Sequence, residues 1–262
     1  RSALYSPTDR QASLTLIEQP APEWDIQVLQ DAIENQLSAF EGFASVFILD
    51  LQTGEEVSIN SDVAVSALSI LKIAIFVEAY RALDAPPNEY EQELFLSTAT
   101  ASSNHSANLL LHVIAGEDNT YEGAEVLTAE MRRMGMLNSF MAIPYDATEV
   151  PSRPSTYSTP ANANPSIDTR PDTSMQTTAE DIGGLLAMLY YCAQGEGGLL
   201  AVYPGEITQE ECQAIVDLMI QNVEGNLIRF GVPDGVAVSH KHGWSFNEHG
   251  DAGIVYSPGG DF

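Results

Sequence analysis

The sequence predicts an α/β fold of the α+β type, and three observations predict it. A strand–turn–strand pattern lies between Phe43 and Asn60, a succession of helical periodicities fills the middle, and two strand-like segments lie near 236–243 and 252–257. Strand-like segments mixed with helical periodicities along one chain read as a mixed α/β pattern.

Taken in order, residues 1–23 are punctuated by Pro and Ser, and only Ser13–Ile17 alternates like a strand. This stretch is expected to be an N-terminal arm or linker, with the domain proper spanning 24–262. From Trp24 to Phe40, Ile26, Leu29, Ile33 and Leu37 recur at helical spacing, which predicts a first helix. Phe43–Asp50 is β-branched and aromatic-rich, Thr53-Gly54 reads as a turn, and Glu56–Asn60 completes a hairpin. Ser69 is expected to open a long apolar helix to about Leu83. Further helices are predicted near 89–100, 105–115, 122–134, 177–193 and 208–223. Between Pro144 and Met175 the chain is rich in Pro, Ser, Thr and Asn without helical period. A connection of that length is expected to be functional or mobile.

Charge narrows the function classes. The chain of 262 residues carries 37 Asp plus Glu against 10 Lys plus Arg, a formal net charge of -27. Such a balance argues against nucleic acid or an anionic membrane surface as partner. Hydrophobic residues at 44% are enough to build a core, so the charge does not signal disorder. No apolar run reaches the roughly 18 residues of a membrane span. The chain begins Arg1-Ser2, which suggests a processed product, and a secreted, periplasmic or cell-envelope location is expected with the signal already removed. Cys192 and Cys212 flank a Gly-rich link between two predicted helices, either as a disulfide in an oxidising compartment or as two buried free thiols.

Of the residue types, lysine is the most telling. Only two occur, Lys72 in Ser69-Ile70-Leu71-Lys72 and Lys241 in Lys241-His242-Gly243. On a helix, residues three apart share a face, so the Lys72 amine is placed to bond the Ser69 hydroxyl. A serine hydroxyl needs a base, and a lysine serves only if burial or a second cation lowers its pKa. Leu68, Leu71 and Ile73 supply apolar surroundings and Lys241 a second cation. By itself Ser-x-x-Lys is weak evidence, since an N-capped helix with a surface lysine gives the same string. The second element, Ser102-Ser103-Asn104, can project a hydroxyl and an amide into one cleft; its plainer role is a capping turn before a helix. The third, His240-Lys241-His242-Gly243-Trp244, reads as a strand whose glycine lets a substrate approach the backbone, against a solvated edge-strand lysine.

The three elements, in this order and spacing, resemble the penicillin-recognising serine hydrolases, most closely the class A β-lactamases. The resemblance runs from about Trp24 to the C-terminus and includes Ala107-Asn108-Leu109-Leu110-Leu111 and Leu227-Ile228-Arg229-Phe230-Gly231-Val232-Pro233. It implies an antiparallel sheet covered by helices and a separate helical lobe, with the active site between them and no cofactor. It implies Ser69 as acylated nucleophile, Lys72 as its base, and Ser102 as proton donor to the leaving nitrogen. Asn104 would bind the substrate amide and Lys241 its carboxylate, with His242 and Gly243 lining that strand. The backbone N–H groups of Ser69 and Trp244 would form the oxyanion hole. A small-molecule or peptidoglycan-type amide is the implied substrate.

The departures from the family pattern bear on activity. The Glu-x-x-Leu-Asn segment that activates the deacylating water in class A enzymes does not occur between Gly135 and Thr178, where Glu149 is the only glutamate. Asp146, Asp168 and Asp172 are possible substitutes, and spacing singles out none of them. Ser103 replaces the family's Asp. His242 replaces its Thr or Ser, and a protonated His242 at low pH is a possible replacement for the lost hydroxyl. His240, His242 and His249 lack a carboxylate or Cys at metal-binding spacing, so a solvated pair beside an acidic surface is expected and no metal. The family's last strand and C-terminal helix have no counterpart after Tyr256: either the chain continues beyond Phe262, which is the plainer account, or Ser13–Ile17, from this chain or a neighbour, fills the strand position and mediates self-association through residues 1–20. Three functions follow: a β-lactamase-like hydrolase forming an acyl-enzyme on Ser69, a D-alanyl-D-alanine peptidase, or a catalytically degenerate binding or assembly subunit.

Overall fold

The computed structural model describes residues 25–164, 166–225 and 227–262. The arm at 1–23, the candidate strand Ser13–Ile17 and self-association through residues 1–20 lie outside the described residues. Helix α1 (Ile26–Leu37), capped by Asp25, leads into strands β1 (Val46–Leu49) and β2 (Glu56–Ile59), which form the expected antiparallel hairpin with Val46 opposite Ile59. Next come β3 (Val65–Ser66), a 3₁₀ turn (Leu68–Leu71) and helix α2 (Lys72–Ala82). Every residue of α2 from Lys72 to Tyr80 is buried, so it is the central post of the molecule.

Around that post stand α3 (Glu89–Thr100), α4 (Asn104–Ala115) and α5 (Thr120–Arg133), which pack on one another and on α2 as the helical lobe. Local chemistry fixes their starts. Asn88 and Glu91 form a reciprocal capping box at α3, and the Ser103 and Asn119 side chains cap α4 and α5. Strands β4 (Phe140–Met141) and β5 (Met175–Thr177) follow, in the antiparallel order β3-β5-β4. Between β4 and β5 runs the long Pro-rich loop, tied to α5 by the Tyr121 hydroxyl donating to the Thr148 carbonyl and by Arg153 pairing with Glu122 and Glu125 at 3.1 and 2.7 Å.

The chain then returns to the sheet side through α6 (Ala179–Ala193), α7 (Gly198–Val202), α8 (Gln209–Ile220) and the short α9 (Leu227–Gly231). Helices α6 and α8 pack against β1, β6 (Ala237–Trp244) and β7 (His249–Ser257), and a Cys192–Cys212 disulfide joins them. Strand β8 (Gly260–Asp261) pairs with β7, while the Asp261 carbonyl accepts the Leu51 N–H at 2.9 Å, so the two sheets meet there. The described part of the chain is thus a mixed fold of small antiparallel sheets packed with helices, with a helical lobe beyond.

Ser69 does not open a long helix as expected. It sits in the 3₁₀ turn, and α2 starts at Lys72 without a side-chain cap. Leu68 is the cause: its φ of 51° breaks the approach, and a non-glycine residue holds such a value only when its surroundings enforce it. The turn brings the Ser69 and Lys72 side chains together, because residues i and i+3 eclipse in a 3₁₀ geometry.

Candidate active site

Where the 3₁₀ turn, the start of α4, the long loop and β6 converge, the predicted residues meet. Lys72 Nζ lies 2.9 Å from Ser69 Oγ, 2.6 Å from the Ser102 carbonyl, 3.2 Å from Ser102 Oγ and 2.8 Å from Asn104 Oδ1. A neutral amine has two N–H donors and one lone pair. The two short contacts to oxygen acceptors use the donors, and the lone pair is left for the Ser69 hydroxyl proton. Burial pushes the Lys72 pKa down from 10.5 to about 7, and the Lys241 charge adds to the fall, against the opposing pull of Glu224 and Asp146.

Ser102 and Ser103 divide their work. Ser103 caps α4 by accepting the Ser106 N–H, while Ser102, at φ 51°, turns its carbonyl and hydroxyl toward Lys72. The expected capping turn is therefore present one residue beyond the site serine. Asn104 is the first residue of α4, and its side chain is engaged on both sides, accepting from Lys72 and donating to Asp146 Oδ2 at 3.0 Å.

Lys241 is fully buried, which excludes a solvated edge-strand lysine. Its Nζ donates to the His242 carbonyl at 2.9 Å, and burial lowers its pKa to about 8, with Glu224 and Asp251 opposing. Gly243 lies where a side chain cannot: a Cβ there would stand 2.8 Å from both Leu68 Cβ and the Ser69 nitrogen. The backbone leading to Trp244 therefore passes directly beside the Ser69 N–H. The Trp244 side chain itself is 65% exposed.

The histidines differ from the solvated pair expected. His240 is 2% exposed and bonds Asp251 Oδ1 at 2.8 Å, and Asp251 also receives the Ile228 N–H. His242 is 8% exposed, with its ring against Gly225 and 6.0 Å from the His249 ring. Burial lowers the His242 pKa below 6.5, so its protonation is displaced to lower pH. Bonding of His240 to Asp251 on β7, itself held by the N–H of Ile228 in α9, and crowding of His242 by Gly225 explain why these rings are not solvated. Among the described residues no cluster of His, Cys, Asp and Glu is arranged to hold a metal ion.

Sequence reasoning missed Tyr145 and Asn108. Tyr145 is buried, its hydroxyl donates to the Leu68 carbonyl at 2.9 Å, and its ring lies 4.5 Å from Lys72 Nζ. It thereby holds the left-handed residue before Ser69 and forms the loop-side wall around Lys72. Asn108, one turn after Asn104 on α4, donates to the Tyr145 carbonyl at 2.7 Å. The signal was an i, i+4 pair of asparagines, Asn104 and Asn108, the second of them directly before the apolar run Leu109–Leu111. Of the loop carboxylates, Asp146 alone is tied into this group; Asp168 and Asp172 accept bonds from Arg170 and Ser174 within their own turns.

The model of the β-lactamase enzyme family matches residues 28–262. Among solved structures, a mutant of PBP-A in an acyl-enzyme complex with penicillin G shares 20% identity over 92% of this chain and 86% of that one, with a TM-score of 0.66. The β-lactamase from Sphaerobacter thermophilus DSM 20745 shares 17% over 91% and 86%, with a TM-score of 0.65. TLA-3 extended-spectrum β-lactamase shares 15% over 90% and 87%, with a TM-score of 0.64. No curated protein matches the chain. At these identities the neighbours establish the fold, and the family model, spanning nearly the whole described chain, establishes membership: the chain belongs to the β-lactamase enzyme family.

Proposed function

We propose that the protein is a serine hydrolase that forms an acyl-enzyme on Ser69 with a β-lactam or a related peptidoglycan-type amide. The observation that carries this reading is the 2.9 Å contact from Lys72 Nζ to Ser69 Oγ, made by a buried amine whose pKa is lowered to about 7. Neutral Lys72 takes the Ser69 proton as the oxygen attacks the carbonyl carbon. The oxyanion forms beside the N–H groups of Ser69 and Trp244. Ser102, in contact with Lys72, passes a proton to the leaving nitrogen, and the Lys241 charge holds the substrate carboxylate. For the second half-reaction we assign Asp146 as the carboxylate that activates water, because it is the loop acid bonded to Asn104. The Cys192–Cys212 disulfide supports an oxidising location, secreted or in the cell envelope.

A peptidase acting on D-alanyl-D-alanine is the second reading, favoured by the lack of a Glu-x-x-Leu-Asn segment between Gly135 and Thr178. Intact-mass spectrometry with a penicillin over time, beside Ser69→Ala, tests both. An adduct on Ser69 that decays rapidly supports the β-lactamase, and a persistent adduct supports the peptidase. Absence of any adduct across pH overturns both and leaves a degenerate binding or assembly subunit.

A further inference from the structure

We propose that Glu248 is a positioning residue that sets the separation of the two oxyanion-hole donors, an inference that rests on the acyl-Ser69 reading for its catalytic consequence. Both oxygens of this one carboxylate are used. Oε1 accepts the Ser66 hydroxyl at 2.7 Å and Oε2 accepts the Ser245 hydroxyl at 2.9 Å. Ser66 lies three residues before Ser69, and Ser245 directly follows Trp244. Glu248 therefore joins the flanks of the two segments whose N–H groups face the oxyanion.

Nothing in the backbone does this work. Strand β6 pairs with β7, and the 3₁₀ turn carrying Ser69 has no strand ladder to β6. Gly243 shows how closely the two backbones pass, since any side chain there would collide with Leu68 and the Ser69 nitrogen. Close approach brings the donors near each other, but contact alone does not stop one segment from sliding along the other. Among the described residues, the Ser66–Glu248 bond is the only side-chain hydrogen bond between the β6–β7 hairpin and residues 65–72.

Both ends of the bridge are anchored. Ser66 is buried, belongs to β3, and its Oγ also accepts the Asp172 N–H at 2.8 Å, which ties in the end of the long loop. On the hairpin, the Ser245 N–H donates to the Glu248 carbonyl at 2.8 Å and closes the turn. A carboxylate accepting two hydroxyls forms charge-assisted bonds, stronger than neutral ones. Glu248 touches neither the nucleophile nor its base, so its effect passes through geometry.

The test uses the full chain with Glu248→Ala, Glu248→Gln, Ser66→Ala and the Glu248→Ala/Ser66→Ala double variant. Hydrogen exchange of the ligand-free protein, read by mass spectrometry over residues 243–250, is expected to accelerate about tenfold in Glu248→Ala and to recover most of the way in Glu248→Gln, because opening of a locally tethered segment governs exchange. Loss of an oxyanion donor outright costs about 10²–10³ in rate, so loosening one is expected to slow acylation by about tenfold. The dissociation constant of the penicillin before acylation should stay within about twofold, since the donors act on the transition state. The double variant should be no slower than either single, because one bridge is cut in each. Unchanged exchange in Glu248→Ala overturns the bridge. Faster exchange with unchanged acylation overturns its catalytic role, as does a loss confined to the dissociation constant. If the wild type forms no adduct, the acyl-enzyme reading fails by itself, and the exchange arm still decides whether Glu248 holds the hairpin.

Discussion

Asn104 donates to Asp146 Oδ2 at 3.0 Å across 42 residues of sequence, while its own oxygen accepts from Lys72 at 2.8 Å. One amide thus couples Lys72 to a carboxylate on the long loop. Asp146 itself has a φ of 56°, so the loop is bent to present it there. Leu68 and Ser102 share that left-handed conformation, and each borders the Ser69–Lys72 pair.

Asp146→Asn keeps the size of the side chain and removes its basicity. Positioned general bases contribute about 10²–10⁴ in rate, so the acyl-enzyme lifetime is expected to lengthen by at least about 10²-fold. Acylation should continue, because Ser69 and Lys72 are untouched. Intact-mass decay of the penicillin adduct checks this, and an unchanged lifetime would remove Asp146 as the deacylation base.

The pH profile follows from the two lysines. Acylation needs neutral Lys72, whose fraction rises with pH through about 7, and protonated Lys241, whose fraction falls through about 8. The acylation rate is therefore expected to be bell-shaped with its maximum between these values; since the amines interact, the limbs belong to the pair. Lys241→Ala removes the neighbouring cation, which raises the Lys72 pKa. The rising limb should move to higher pH and the falling limb should vanish, as read by acylation rates between pH 5 and 10. A rising limb that stays in place would show that Lys241 does not act on Lys72.

How far the site could be read from the sequence depended on distance along the chain. Ser69 and Lys72 were legible because three residues fix their relation, and Lys241 stood out because the chain holds only one lysine besides it, Lys72 itself. Helices α3 to α6 and α8 followed from long periodic patterns and capping residues. The 3₁₀ turn was illegible because the φ of Leu68 is held by the Tyr145 hydroxyl, 77 residues away. Strands β3, β4 and β5, at two or three residues each, are too short to show a period. Asp146 looked like Asp168 and Asp172 until the fold brought Asn104 to it. The buried histidines misled for the same reason, since the segments that cover them lie in the turn before α9 and in α9 itself.

The Cys192–Cys212 disulfide joins α6 to α8 across 20 residues. Closing a loop of that length is worth about 3 kcal/mol in the chain-entropy account. Cys192→Ala/Cys212→Ala is expected to lower the Tm by roughly 6–12 °C, at about 2–4 °C per kcal/mol for a chain of this size. Thermal unfolding with and without reductant provides the check. The double variant should lose its sensitivity to reductant, and a wild type indifferent to reductant would mean the bond adds nothing to stability.

Gly225 stands against His242 with no room for a side chain. Its φ is 64°, and a Cβ there would lie 1.9 Å from His242 Cγ. Two penalties therefore act on Gly225→Ala. The left-handed backbone costs an L-residue about 1–2 kcal/mol. Overpacking a tight contact adds about 1–3 kcal/mol. Denaturant unfolding should show a loss of about 2–5 kcal/mol in total, with the steric part borne by the strand segment that holds Lys241. The two penalties separate in a His242→Gly background. There both the ring and its Cβ, which would stand 2.3 Å away, are gone, and Gly225→Ala should cost only the backbone share, about 1–2 kcal/mol. An equal loss in both backgrounds would mean that His242 does not rest on Gly225, and that the turn is held by its backbone conformation alone.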